Sequence, residues 1–209
     1  MSSKKSLCAF CSKRKATTRD HIPPKCLYPE SVRPGLNLIT VPSCLECNNE
    51  LSDDEEHFRN LIVTGGGRNL VVDQLFKKVL RGLERAKSNY KLKDLLAAMQ
   101  KRQLKMQDGR IHDQYLIYPD NAFWRVMSKI GRGLFYYHMH YPLPSDYKVE
   151  SKKLDVMVPP GLWDAPDCYH RHAHIFRYGY TTIENKKGWF WIINLLKTRN
   201  FTITMIQHE

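Results

Sequence analysis

Two periods of apolar residues divide this 209-residue chain. In its first quarter the apolar runs are short and strand-like. Lys13 to Thr18 reads as a basic turn entering an extended segment, and Ile22-Pro23-Pro24 ends that segment because proline cannot continue a ladder. Leu36 to Val41 is a second β-prone run, expected to stop at Pro42. From Cys44 the pattern turns helical, and Ser52-Asp53-Asp54-Glu55 predicts a capping box for a helix reaching about Val63. Thr64-Gly65-Gly66-Gly67 then breaks the pattern, and no Gly-Lys-Ser/Thr follows to make it a phosphate loop.

Beyond this joint the helical period dominates. Val72, Leu75, Phe76, Val79, Leu80 and Leu83 share one face, with Lys77, Lys78, Arg81 and Arg85 opposite. Leu92, Leu95, Leu96 and Met99 predict a second helical run closed by Asp108-Gly109. Ile111 to Tyr118 reads as a strand. Phe123, Trp124, Met127, Ile130 and Leu134 mark an amphipathic helix, in which Gly131 and Gly133 imply close backbone packing. The last third is β-rich. His174 to Tyr180 alternates, Asn185 to Gly188 looks like a hairpin turn, Trp189 to Leu196 suits a central strand, and Phe201 to Ile206 a final one.

Charge adds a preference for polyanions. The net charge is +12, and residues 61–110, with 12 basic and 4 acidic side chains, hold most of it. The basic helical face is either an ordinary solvated surface or an arm that tracks phosphates. No apolar run is long enough to span a bilayer, so no membrane partner is expected. The start runs straight into a cysteine with no apolar signal segment, which points to the cytoplasm. There, six cysteines are expected to be metal ligands or free thiols rather than disulfides.

Four of them form two pairs, Cys8-x2-Cys11 and Cys44-x2-Cys47, the donor set of a closed structural zinc site. Strand, strand and helix with a cysteine pair at each end make a ββα unit. Between the pairs lies Asp20-His21, flanked by Arg19, and Asn48 follows the last cysteine directly. An acid and a histidine side by side are not needed for a four-cysteine site, which suggests a second centre.

Over about residues 7–63 this combination resembles the HNH, or ββα-metal, endonucleases. The resemblance implies that His21 is the general base activating water, a task suited to an imidazole that is mostly neutral at physiological pH. It implies that Asp20 and Asn48 hold one Mg2+ or Mn2+, to which carboxylate and amide oxygens are suited, and that Asn37 orients the histidine. Adjacent residues of a regular strand point to opposite faces, so Asp20 and His21 can serve one ion only if the strand ends or twists there.

The expectation is therefore an α+β protein in three parts. Residues 1–64 form the zinc-stapled nuclease module, and 65–108 a basic helical segment. Residues 109–209 form an α+β domain with an antiparallel sheet for substrate grip, specificity or dimerisation. The expected function is metal-dependent hydrolysis of DNA phosphodiesters, with Arg19, Lys77, Lys78, Arg81 and Arg85 as candidate nucleic-acid contacts. RNA is a variant substrate, and a homodimer or an acidic inhibitory or regulatory protein are further partners to test. A non-catalytic, zinc-stabilised nucleic-acid-binding protein is the competing reading. Cys168, His170, His172 and His174, with His138 and His140, form a second histidine-rich cluster that reads more simply as a polar strand face or loop.

Overall fold

The computed structural model describes residues 6–65, 67–85, 89–105, 108–154, 158–165, 168–172, 174–183 and 187–207. The chain opens with β1 (Thr18–Ile22) and β2 (Ile39–Ser43), an antiparallel pair in which Asp20 faces Val41 and His21 faces Thr40. Ile22, Ile39 and Val41 turn to the core, as β-branched residues on one face of a pleated pair should. Two helices follow, α1 (Leu45–Asn49) and α2 (Ser52–Gly65). The Ser52 hydroxyl donates back to the Asn49 carbonyl at 2.8 Å rather than receiving a helix amide.

Three details of these elements differ from the pattern in the sequence. The second strand starts at Ile39, so Asn37 lies exposed before it rather than within it. Pro42 sits inside β2 opposite Arg19, which is tolerated because in a two-stranded pair each strand has an open edge. β1 runs on through Asp20 and His21 to Ile22, so the chain does not end or twist between those two residues.

Next come α3 (Leu70–Leu83) and α4 (Asn89–Ala97). Asn69 caps α3 by accepting the Val72 amide at 3.0 Å, and its own amide donates to the Leu196 carbonyl at 2.7 Å. Val72, Leu75 and Val79 are buried as their spacing requires, whereas Leu80 is 43% exposed. The helix expected through Met99 stops at Ala97. Residues Met99–Lys105 instead form β3, hairpinned to β4 (Ile111–Ile117), with Asp108-Gly109 in the turn and Gly109 at φ 81°. Helix-forming lysines, arginines and glutamines are weak determinants, and pairing with a β-rich partner overrides them.

The helix α5 (Asn121–Met139) is capped by Asp120, which accepts the Phe123 amide at 2.9 Å. Five antiparallel strands complete the chain: β5 (Tyr147–Leu154), β6 (Cys168–Arg171), β7 (Phe176–Ile183), β8 (Gly188–Leu195) and β9 (Arg199–Gln207), in the order β5-β9-β8-β7-β6. β8 is central, as its apolar run implies. Asn185 and Lys186 of the expected turn lie outside the described residues. The fold is thus mixed α+β with an antiparallel sheet.

α5 is the common floor of the molecule. Its Val126, Met127, Ile130 and Leu134 are buried in one apolar cluster that runs from Ile22 and Phe58 to Ile203 and Met205. The two glycines allow this. A Cβ on Gly133 would meet Ile22 Cδ1 at 2.3 Å, and one on Gly131 would meet Ile203 and Met205 side chains at 3.0 Å. Among the described residues, no helix is long and apolar enough to cross a membrane.

Candidate metal and active site

The sulphur atoms of Cys8, Cys11, Cys44 and Cys47 all lie within 4.8 Å of one another. The first pair sits on a tight turn in which the Cys8 amide donates to Arg14 O and the Ser12 amide to Cys8 O. The second pair straddles the start of α1, where Cys44 is the N-cap. Sulphur ligands about 2.3 Å from a tetrahedral ion stand about 3.8 Å apart, so this cluster could hold a structural metal such as zinc. Arg14 reaches over it, 3.7 Å from Cys47 Sγ.

Asp20 and Asn48 are brought together. The Asn48 amide lies 3.2 Å from both Asp20 carboxylate oxygens and donates to them, while its carbonyl accepts from the Thr18 hydroxyl at 3.1 Å. Asp20 is only 6% exposed, and its other partners account for it: the His21 amide at 2.8 Å and the Lys129 ammonium at 2.6 Å. Lys129 also donates to Glu55 at 2.8 Å and lies over the Phe10 ring at 5.4 Å. Burial alone would lower the Lys129 ammonium, but Asp20 and Glu55 outweigh it and hold it above its ordinary value. Burial pushes the Glu55 carboxyl up, against Lys129. One ammonium between two carboxylates, with an asparagine beside them, is a satisfied buried ion network.

This network bears on the expected Mg2+ or Mn2+. The donor types of Asp20 and Asn48 suit a hard cation, yet a cation already stands on Asp20. In this arrangement the site therefore does not fit a divalent ion unless Lys129 gives way and the Asn48 amide turns its oxygen from Thr18 toward Asp20.

His21 faces the other side of β1, with Arg19, as strand alternation dictates. Burial lowers its imidazole pKa; Lys25 adds to this, Asp20 opposes it, and Arg33 adds a smaller push. His21 is thereby kept neutral and able to accept a proton. The Arg19 guanidinium is turned onto Thr40, donating to its hydroxyl at 2.9 Å and its carbonyl at 2.8 Å. Arg19, Thr40, Tyr136, His138 and Tyr169 line a cleft of about 560 Å3 on this face.

Of the other candidates, Asn37 is exposed in the loop before β2. Lys77, Arg81 and Arg85 are exposed, but Lys78 pairs with Glu30 at 2.8 Å and ties α3 to the N-terminal segment. His57 lies 2.8 Å from Asp120, the cap of α5. In the second cluster, His138 bonds the Tyr178 hydroxyl at 2.9 Å and His172 packs edge-on to Tyr28. The His170 side chain lies outside the described residues. Among the described residues, only the four cysteines gather as a metal-ligand group. Trp191 is fully buried in the core.

Lys129 is the neighbour of Asp20 that motif spacing does not reveal. Lys129 had a signal of its own: it follows buried Val126 by three and precedes Gly133 by four, a charge on the core arc of α5. Comparison with models of protein families, with curated proteins and with solved structures gives no match, so the functional reading rests on these residues.

Proposed function

We propose that the chain is an HNH-type endonuclease acting on DNA phosphodiesters. The observation that carries this reading is the meeting of Asp20 and Asn48 at 3.2 Å behind a four-cysteine cluster, with a neutral His21 on the same strand. In this reading His21 accepts the proton of the attacking water, and burial with nearby Lys25 and Arg33 keeps its lone pair available. Asp20 and Asn48 would hold Mg2+ or Mn2+, in competition with the Lys129 ammonium for one carboxylate. If Lys129 and the Asn48 amide rearranged to admit it, such an ion would supply charge stabilisation at the scissile phosphate and its leaving oxygen. The four cysteines hold zinc and staple the turn before β1 to the start of α1.

A second reading is a zinc-stabilised nucleic-acid-binding protein without catalysis. Two observations favour it: Lys129 neutralises Asp20, and His21 faces away from Asp20. Supercoiled-plasmid cleavage with Mg2+ or Mn2+ separates the two. Cation-dependent nicking that His21→Ala abolishes, at unchanged zinc content, is the expected result. Inert wild-type protein that still shifts the plasmid on a gel sinks the nuclease and leaves the binding protein.

A further inference from the structure

Along α5, Arg125, Ser128, Lys129 and Arg132 fall at i, i+3, i+4 and i+7, so they form one polar stripe. The stripe faces the cysteine turn across a groove of about 350 Å3, whose opposite wall includes Phe10, Cys11, Arg14 and Cys47. A second hollow of about 580 Å3 continues past Arg132 to Lys13, Leu143 and Ser145. Arg132 borders both.

The ion pairs in this groove are unevenly shared. Arg125 is held by Asp54 through two bonds of 2.7 and 2.9 Å, Lys129 by Asp20 and Glu55, and Arg14 by Glu46 at 3.7 Å. Arg132 is half-buried, and among the described residues its guanidinium has no hydrogen-bond or ion-pair partner. Burial lowers its pKa with nothing opposing, yet a guanidinium stays charged in a protein. A desolvated, unpaired charge is costly and calls for a counter-ion. Among the described residues, no acidic side chain lines the Lys13 end, whereas Glu50 lines the Arg125 end. Arg132 sits between Gly131 and Gly133, whose close contacts with β9 and β1 fix the helix at this point.

We propose that this groove is a phosphate-binding channel, in which Arg132 with Lys13 and Arg14 clamps the backbone of a bound nucleic acid. The chemistry is that of a phosphodiester anion: a planar fork of N–H donors matches two phosphate oxygens. Lys129 lines the same groove and touches Asp20, so the channel leads to the proposed cation site. The inference deepens the nucleic-acid reading and rests on it for the ligand, not on catalysis.

The test is fluorescence anisotropy of full-length protein with a labelled DNA duplex across a NaCl series, comparing wild type, Arg132→Gln, Arg132→Lys and Ser145→Glu. Arg132→Gln is expected to weaken binding about tenfold or more, and to reduce the slope of log K against log salt by about 0.9, one phosphate contact. Arg132→Lys should recover part of the affinity, and Ser145→Glu should lose it by placing a carboxylate in the channel. Thermal melts accompany each variant. Arg132→Gln, losing an unpaired charge, should melt no lower than wild type. Unchanged affinity and slope in both Arg132→Gln and Ser145→Glu overturn the proposal, as does wild-type protein that binds no duplex. Inorganic phosphate at matched ionic strength gives the other arm: if it binds tightly at Arg132 while DNA does not, the site serves a small phosphate and the channel is refuted. Plasmid hydrolysis is read separately, so a protein that binds through Arg132 but does not cut removes the enzyme and keeps the site.

Discussion

Lys129 decides more about the proposed site than any residue of the motif. Its ammonium neutralises Asp20 and Glu55, both largely withdrawn from water. Removing one partner of such a network leaves the other charges uncompensated, so Lys129→Met should destabilise the protein by about 3 kcal/mol in urea unfolding. If Asp20 and Asn48 can bind a divalent ion, Mg2+ should raise the melting temperature of Lys129→Met more than that of wild type. Equal responses would mean that the pair is only structural. Cysteine chemistry divides in the same local way. Burial pushes the Cys26 thiol up to about 12, and its Sγ donates to Glu55 O at 3.3 Å. At pH 8 roughly one Cys26 in ten thousand would be thiolate, so it should resist maleimide in folded protein. If the four-cysteine cluster holds zinc as proposed, the Cys8, Cys11, Cys44 and Cys47 thiols should react only after a chelator is added. Modification of Cys26 before chelation would contradict this burial.

Among elements, α5 carries the strongest constraint. Gly133 lets the helix approach β1 so closely that a Cβ would overlap Ile22 at 2.3 and 2.5 Å. Ile22 is itself fully buried and has no room to retreat. Alanine gains about 1 kcal/mol of helix propensity, but overpacking costs about 1–3 kcal/mol. Gly133→Ala is therefore expected to lower stability by up to about 2 kcal/mol, read as a lower melting temperature. It should also disturb the strand that carries Asp20 and His21. A melt at or above that of wild type would show that β1 yields without cost. β1 and β2 make a weaker element by themselves, since a two-stranded pair is marginal without a packed face. Their support is α5 on one side and the cysteine cluster at their ends.

At the scale of the whole molecule, one buried cluster joins the N-terminal strands, α2, α5 and the five-stranded sheet. Residues 1–64 alone would expose Ile22, Phe58, Leu61 and Ile62, which the rest of the chain now covers. Expressed by itself with zinc, that segment should remain poorly dispersed in an NMR spectrum, despite an intact four-cysteine site. A well-dispersed spectrum would establish residues 1–64 as a domain in its own right. The acidic residues of this segment also reach outward: Glu30 to Lys78, Asp54 to Arg125, Glu55 to Lys129 and Glu56 to Lys91. Each of these pairs removes one charge of either sign, so they tie the segments together and leave the net charge of +12 unchanged. Among the described residues, Arg132 with Lys13 and Arg14, and exposed Lys77 and Arg81 of α3, are basic side chains placed to meet a polyanion.

Local pattern determined a good deal of this protein. The cysteine spacing implied the four-sulphur cluster, because two short turns suffice to present each pair. The period of α3 and α5 implied their buried faces, the alternation from His174 to Tyr180 implied a strand, and the apolar run from Trp189 to Leu196 implied the centre of the sheet. Asp20-His21 and Asn48 marked the candidate centre, since residue type and order are visible in the chain. Contacts across long separations were decided only by the tertiary structure. Lys129 reaches Asp20 from 109 positions away along the chain; no local period carries that distance. The stretch from Met99 to Lys105 has residues that favour a helix, and becomes a strand because β4 pairs with it. Whether Asp20 and His21 share a face depended on whether β1 broke between them, and packing against α5 kept the strand regular through Ile22. Propensity is a weak local term, and burial of a shared core outweighs it wherever the two disagree.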